Sequence, residues 1–363
     1  MSAVFLANGI AFGAWAGNIP RLREAAGLDD GRLGVVLLCV SLGAVAAMQV
    51  AGRYAAAIGT ARASWMSALL LAVALPLPSV APGYPALLCS GAFLGLGLGL
   101  LDVCMNAHAS WLERRWGAAI MSSFHAGWSL GQLAGAALAG LLAGLGLLPA
   151  LVLPAVVVAG LGLAALWLPE EKGRATDRVP FAWPSPRIIV LGLIIALSFS
   201  IEGGTADWSG VYLRTVLGVP ADQSSLALAV FAGVMVAMRL RGDLLVRRLG
   251  PVRVLMAGAS VAAAGLLLAL AVPSLWAAVA GFALVGAGVA NIVPIVFSAA
   301  GQPGPDGGGP AGVSMVATAG YGAVMATPPL IGFASHEVGL RLALLLLVAG
   351  AGLMAVLGRR VAG

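Results

Sequence analysis

Uninterrupted apolar runs constrain this chain more than any other feature, because each is close to the ~20 residues a helix needs to cross a bilayer. They fall at about 3–20, 33–52, 63–80, 91–115, 118–145 and 148–168, and then at about 187–213, 223–240, 252–272, 275–299, 311–335 and 338–358. The runs are continuous rather than alternating, which excludes a membrane barrel of strands. Only 9 % of the residues are charged and 61 % are hydrophobic, whereas a soluble domain carries about 25 % charged residues. The spacing predicts an all-α polytopic membrane protein of about twelve spans, arranged as six plus six. The first run is short, and Ala14-Trp15-Ala16 has the small-x-small form of a cleavage site. A signal peptide would need a positively charged start, which is missing, so the run is read as a true span that lacks its N-terminal turn.

One long polar stretch, residues 169–186, carries Glu170, Glu171, Lys172, Arg174, Asp177 and Arg178. It divides the chain into an N-terminal bundle (1–168), a linker (169–186) and a C-terminal bundle (187–363). The net charge of +6 does not point to nucleic acid, because the basic residues sit in short connections where they set topology. Roughly 15 of them fall on the side of the termini and linker and about 5 opposite, which predicts cytoplasmic ends. Lys172 is the single lysine; with the many alanines and glycines this suggests a GC-rich bacterial genome and an inner-membrane location. Cys39, Cys89 and Cys104 lie inside spans at no metal-ligand spacing, so neither a disulfide framework nor a metal is expected.

The halves resemble one another. Trp15-Ala16-Gly17 with Arg21 lines up with Trp208-Ser209-Gly210 with Arg214, and Gly127-Trp128 with Gly320-Tyr321 at the same offset. Gly97 to Asp102 matches Gly286 to Asn291, which sets Asn291 opposite Asp102. Two repeated halves imply a mid-membrane site between them and alternating access by rocking.

Polar residues inside spans mark the candidate site, since a carboxylate within a bilayer is costly and rare. In the fourth span, Gly91, Gly95 and Gly99 permit close approach of a neighbour. Asp102 and Asn106 then share one face, with His108 beyond them. The fifth span carries Ser122, Ser123, His125 and Trp128; two histidines near Asp102 are proton-relay candidates. Glu202 and Asp207 flank a region where Gly203-Gly204 would let the helix unwind. Trp208 and Tyr212 are candidates for an outer aromatic wall or an interface anchor. Asn291, close to Pro294, and Tyr321 complete the set.

These stretches resemble the major facilitator superfamily over essentially the whole chain, through DVCMNAHASWLERR, SSFHAGWSLG, EGGTADWSGVYLR, RLRGDLLVRRLG, GAGVANIVPIVFSAAG and GYGAVMATPPLIGF. The branch is similar to MosC/YbjJ-like bacterial proteins, with some likeness to fucose–galactose–gluconate proton symporters. The likeness implies proton coupling at Asp102, with Asn106 beside it, and a seventh-helix glutamate at Glu202. The first-helix aspartate of those symporters has no match, since Ala16 stands near that place. The superfamily's signature between helices two and three is reduced to Gly52 through Gly59 with Arg62. The second half keeps Arg239, Asp243, Arg247 and Arg248, in which Arg239 and Asp243 are four apart and able to pair; these are assigned to gating. The fifth helix lacks the proline of the drug antiporters. Monomeric function follows from the same resemblance.

Gly127-Trp128-Ser129-Leu130-Gly131 has the form of a nucleophile elbow, but that motif needs a strand-to-helix turn. The glycines at 95, 97 and 99 follow no strand, and Gly304–Gly309 is a loop with too few basic residues for phosphate. No enzyme and no cofactor is therefore expected. The expected function is proton-coupled transport of a small sugar- or polyol-like solute. Asp102, His125 and Glu202 are placed in coupling. Asn106, Trp128, Glu202, Asp207, Trp208, Asn291 and Tyr321 are placed in substrate binding. An exporter of a metabolite or drug, and a solute sensor that does not transport, remain the alternatives.

Overall fold

The computed structural model describes residues 1–116, 121–169, 185–301 and 310–359; within them, the side chains of residues 52, 56, 113, 114, 121, 122, 243, 301, 310, 311, 313 and 314 lie outside the description. Most of the 169–186 linker and the Gly304–Gly309 loop also fall outside it. The described residues are helical, with no strand among them.

The order in the first half is α1 (Ser2–Ala25), α2 (Asp30–Ile58), α3 (Thr60–Ala74), α4 (Tyr84–Trp116), α5 (Met121–Leu141) and α6 (Leu147–Gly162). The second half holds α7 (Pro186–Thr215), α8 (Leu226–Leu240), α9 (Gly242–Leu249), α10 (Pro251–Ala271), α11 (Leu275–Val289), α12 (Ile292–Gly301), α13 (Pro310–Val338), α14 (Leu340–Ala343) and α15 (Leu345–Leu357). Nine described helical segments are long and apolar enough to cross a membrane, and Leu226–Leu240 is a shorter apolar helix. The fifth and eleventh expected spans correspond to α5 and α13, whose serines, glycines and prolines dilute their apolar character.

Two boundaries differ from the sequence expectation. Helix α1 does not stop at Pro20 but runs through it to Ala25, so it is about 36 Å long at 1.5 Å per residue and is not short. Arg21, expected in a loop, is buried in the helix and donates from Nη2 to the Ala139 carbonyl at 2.5 Å. Helix α2 then starts on Asp29, whose carboxylate accepts from the Arg32 amide, a side-chain N-cap.

The chain forms two compact units, Met1–Thr176 with Val219–Ala229, and Asp177–Gly218 with Val230–Gly363. Within the first, α1 packs on α5, α3 on α4 and α6, and α2 on α4. Gly95 explains the last pairing: a Cβ there would lie 1.8 Å from the Val40 carbonyl oxygen, so only glycine permits this approach. Within the second, α7 packs on α13 and α10 on α11 and α15, the same scheme at equivalent places in the repeat. Large exposed side chains such as Val73, Val156 and Val356 are apolar, as a lipid-facing surface requires.

Candidate functional site

In the first unit, α4 runs unbroken past Asp102, which is half-buried. Asn106, one turn on, donates from Nδ2 to the Asp102 backbone carbonyl at 2.8 Å and to its Oδ1 at 3.3 Å. The acid and amide that the spacing placed on one face therefore touch. His108 does not join them. It is fully buried toward α3, its Nδ1 is 2.8 Å from the Thr60 hydroxyl, and its ring lies beside Trp111. His125 is exposed near the start of α5, edge-on to Phe5 at 5.4 Å. Trp128 donates from Nε1 to Asn8 Oδ1 at 2.9 Å and tilts against Phe12 at 5.6 Å.

Asn8 is the residue that sequence reasoning missed. It is buried on α1, and its Nδ2 has no hydrogen-bond partner. An amide inside an apolar span is the signal that points to it; Ala16, near the place where the symporters carry an acid, is itself buried.

In the second unit, Glu202 sits near the middle of α7. The helix does not unwind at Gly203-Gly204, as expected, but continues from Pro186 to Thr215. The breaks lie elsewhere, at Arg241 between α8 and α9 and at Ala290-Asn291 between α11 and α12. Pro294 has no N–H to give the Ala290 carbonyl four residues before it, which accounts for the second break. Arg239 donates from Nε to that Ala290 carbonyl at 3.3 Å. Asn291 is buried and donates from Nδ2 to the Met238 carbonyl, also at 3.3 Å.

Arg239, which the spacing pairs with Asp243, also reaches across to Glu202, with Nη2 3.5 Å from Oε2. The Asp243 side chain lies outside the described residues. Arg239 lies in the last turn of α8, and α9 follows directly after Arg241. Glu202 Oε1 is buried with no hydrogen-bond partner.

The aromatic candidates separate. Tyr321 is 40 % exposed on α13 and meets Phe199 of α7 edge-on, much as Trp128 of α5 meets Phe12 of α1. Trp208 is fully buried, as its repeat counterpart Trp15 nearly is. Tyr212 is buried too and donates its hydroxyl to the Ala269 carbonyl. The expected outer wall of Trp208 and Tyr212 is thus core packing within the unit, a role that the repeated Trp-x-Gly fits well. Asp207 is half-buried beside them. The Gly127–Gly131 run lies inside helix α5 rather than at a strand-to-helix turn. Among the described residues, no three His, Cys, Asp or Glu side chains group closely enough to hold a metal ion.

A family profile of the Major Facilitator Superfamily matches residues 1–300. The chain belongs to the major facilitator superfamily. This superfamily member is 35 % identical over 361 residues to an uncharacterised MFS-type transporter of Yersinia pestis, with 97 % of this chain and 94 % of the relative covered. It is 33 % identical over 350 residues to the membrane protein MosC of Rhizobium meliloti, covering 95 % and 85 %. Among solved structures it resembles the nucleoside transporter NupG, with a TM-score of 0.77, 13 % identity and coverage of 99 % and 97 %. It also resembles a bacterial homologue of the human lysosomal transporter Spinster, inward-facing and occupied, with a TM-score of 0.73, 14 % identity and coverage of 99 % and 95 %. At these identities the structural likenesses establish the major facilitator fold, and membrane transport is the function of this chain.

Proposed function

We propose that this transporter couples the movement of protons to that of a small polar, sugar- or polyol-like solute across the bacterial inner membrane, with both chain ends cytoplasmic. The observation that carries the reading is Asp102. It is an acid within a membrane span whose hydrogen-bonded neighbour, Asn106, is a neutral amide, and among the described residues it makes no ion pair. Such a group is suited to take up and release a proton as access alternates. Glu202 differs, because Arg239 supplies its counter-charge. Asn106, Glu202 and Asn291 bring amide and carboxylate groups that bond hydroxyls, and the partly exposed rings of Trp128 and Tyr321 offer flat faces for a sugar or ring.

The test has two stages. A thermal-shift screen of purified protein against sugars, inositols, amino sugars, nucleosides and organic acids finds a binder, because specific binding stabilises the folded state. Proteoliposomes then take up the labelled binder under an imposed pH gradient, acid outside. Asp102→Asn is expected to abolish accumulation while leaving exchange of solute across the membrane intact. Full gradient-driven accumulation by Asp102→Asn overturns the coupling assignment. Accumulation only with the gradient reversed assigns export instead.

A further inference from the structure

The surroundings of Arg239 have the chemistry of a cation site. Its guanidinium faces Glu202 Oε2 at 3.5 Å, and its Nε faces the Ala290 carbonyl at 3.3 Å. That carbonyl closes the C-terminal end of α11, where the helix dipole places partial negative charge, and Pro294 has deprived it of its helical donor. A carboxylate and an unwound carbonyl at a mid-span helix break are the kind of oxygens that hold coupling cations in discontinuous membrane helices. Here a side chain of the protein stands among them. The Glu202 and Arg239 side chains are 21 % and 23 % exposed, and Glu202 Oε1 is buried with no hydrogen-bond partner.

We propose that Arg239 is a built-in cation which occupies a monovalent-cation site formed by Glu202 and the Ala290 carbonyl, and that it thereby excludes free sodium or potassium from the second unit. The inference does not depend on which solute is carried or on Asp102. Its consequence is specific: deleting the guanidinium empties a site that a small free cation fills. Asp243, four residues along the chain, is the other carboxylate whose position bears on this, and the test separates it from Glu202.

The experiment measures the thermal stability of purified Arg239→Ala in chloride salts of guanidinium, sodium, potassium and choline at millimolar concentration and constant ionic strength. Arg239→Ala is expected to melt several degrees below the parent protein. Guanidinium should recover at least half of that loss, sodium or potassium less, and choline none, while the parent is unmoved. Glu202→Gln combined with Arg239→Ala is expected to lose the response to every cation. The proposal is overturned if Arg239→Ala melts with the parent, or if neither sodium nor potassium stabilises it. It is equally overturned if the double variant still responds to guanidinium, which would make Asp243 the acid concerned. Should Arg239→Ala fail to accumulate, Arg239→Gln takes its place with the same expected outcomes.

Discussion

Arg239 and Asn291 each donate to a backbone carbonyl at the other's helix break. Arg239 Nε bonds the Ala290 carbonyl and Asn291 Nδ2 bonds the Met238 carbonyl, both at 3.3 Å. A helix break leaves carbonyls without their helical donors, and one that is buried and unmet costs free energy. Arg239 supplies a donor to the Ala290 carbonyl, and the Met238 carbonyl accepts from Asn291 in addition to the Arg241 N–H at 3.2 Å. Glu202, on a third helix, is tied to the pair through Arg239.

Gly242 and Gly203 provide a matched contrast. A Cβ at Gly242 would fall 2.1 Å from Asn291 Oδ1, whereas one at Gly203 meets nothing within 4 Å. Gly242→Ala must displace the Asn291 amide and break its hydrogen bond to the Met238 carbonyl, a loss of about 1–2 kcal/mol. Gly203→Ala instead restricts the unfolded chain and should stabilise by about 0.4–1 kcal/mol. Thermal melts of both variants in one detergent should move in opposite directions; the same sign for both would sink this account of the break.

Pro294 sets the second break, so Pro294→Ala should mend it. The restored N–H would bond the Ala290 carbonyl and compete with Arg239. A proline in a helix interior costs about 3 kcal/mol relative to alanine, part of which Arg239 and Asn291 already offset. The variant is expected to melt about a degree or more higher and to transport more slowly, because the hinge is lost. A lower melting temperature would mean that the break is imposed by packing rather than by the proline.

Most of this architecture could be read from the chain. Continuous apolar runs gave the spans, and Gly95 announced the approach of a neighbour, which proved to be α2. The Asp102–Asn106 contact followed from helical spacing alone. What could not be read is informative. Glycines mark where a helix is able to bend, but Gly203-Gly204 lies in a continuous α7, since the backbone bonds of a membrane helix are too valuable to give up without replacements. The replacements exist at Ala290 and Met238, supplied by side chains more than fifty positions away in sequence. No local pattern encodes such a partner. Trp208 shows the same limit: an aromatic near a span end can anchor, line or fill, and only tertiary packing decides that it fills.

Asn8 and Trp128 give the last prediction. Asn8 holds the indole of Trp128 by accepting its Nε1 proton at 2.9 Å, and both helices are locked together by glycine contacts such as Gly9 on the Trp128 carbonyl. Asn8→Leu removes the acceptor and leaves the half-buried indole N–H without its partner, at a cost of about 1 kcal/mol. Trp128→Phe removes the donor and leaves the amide unmet, at a similar cost. If Asn8 acts through Trp128, the double variant should lose less than the sum of the two, with a coupling of about 0.5–2 kcal/mol. Binding of any solute found in the thermal-shift screen supplies a second readout. Asn8→Leu should weaken binding as Trp128→Phe does, because each frees the ring that Asn8 orients. Additive losses in stability, together with unchanged binding in Asn8→Leu, would show that Asn8 merely fills the α1–α5 seam.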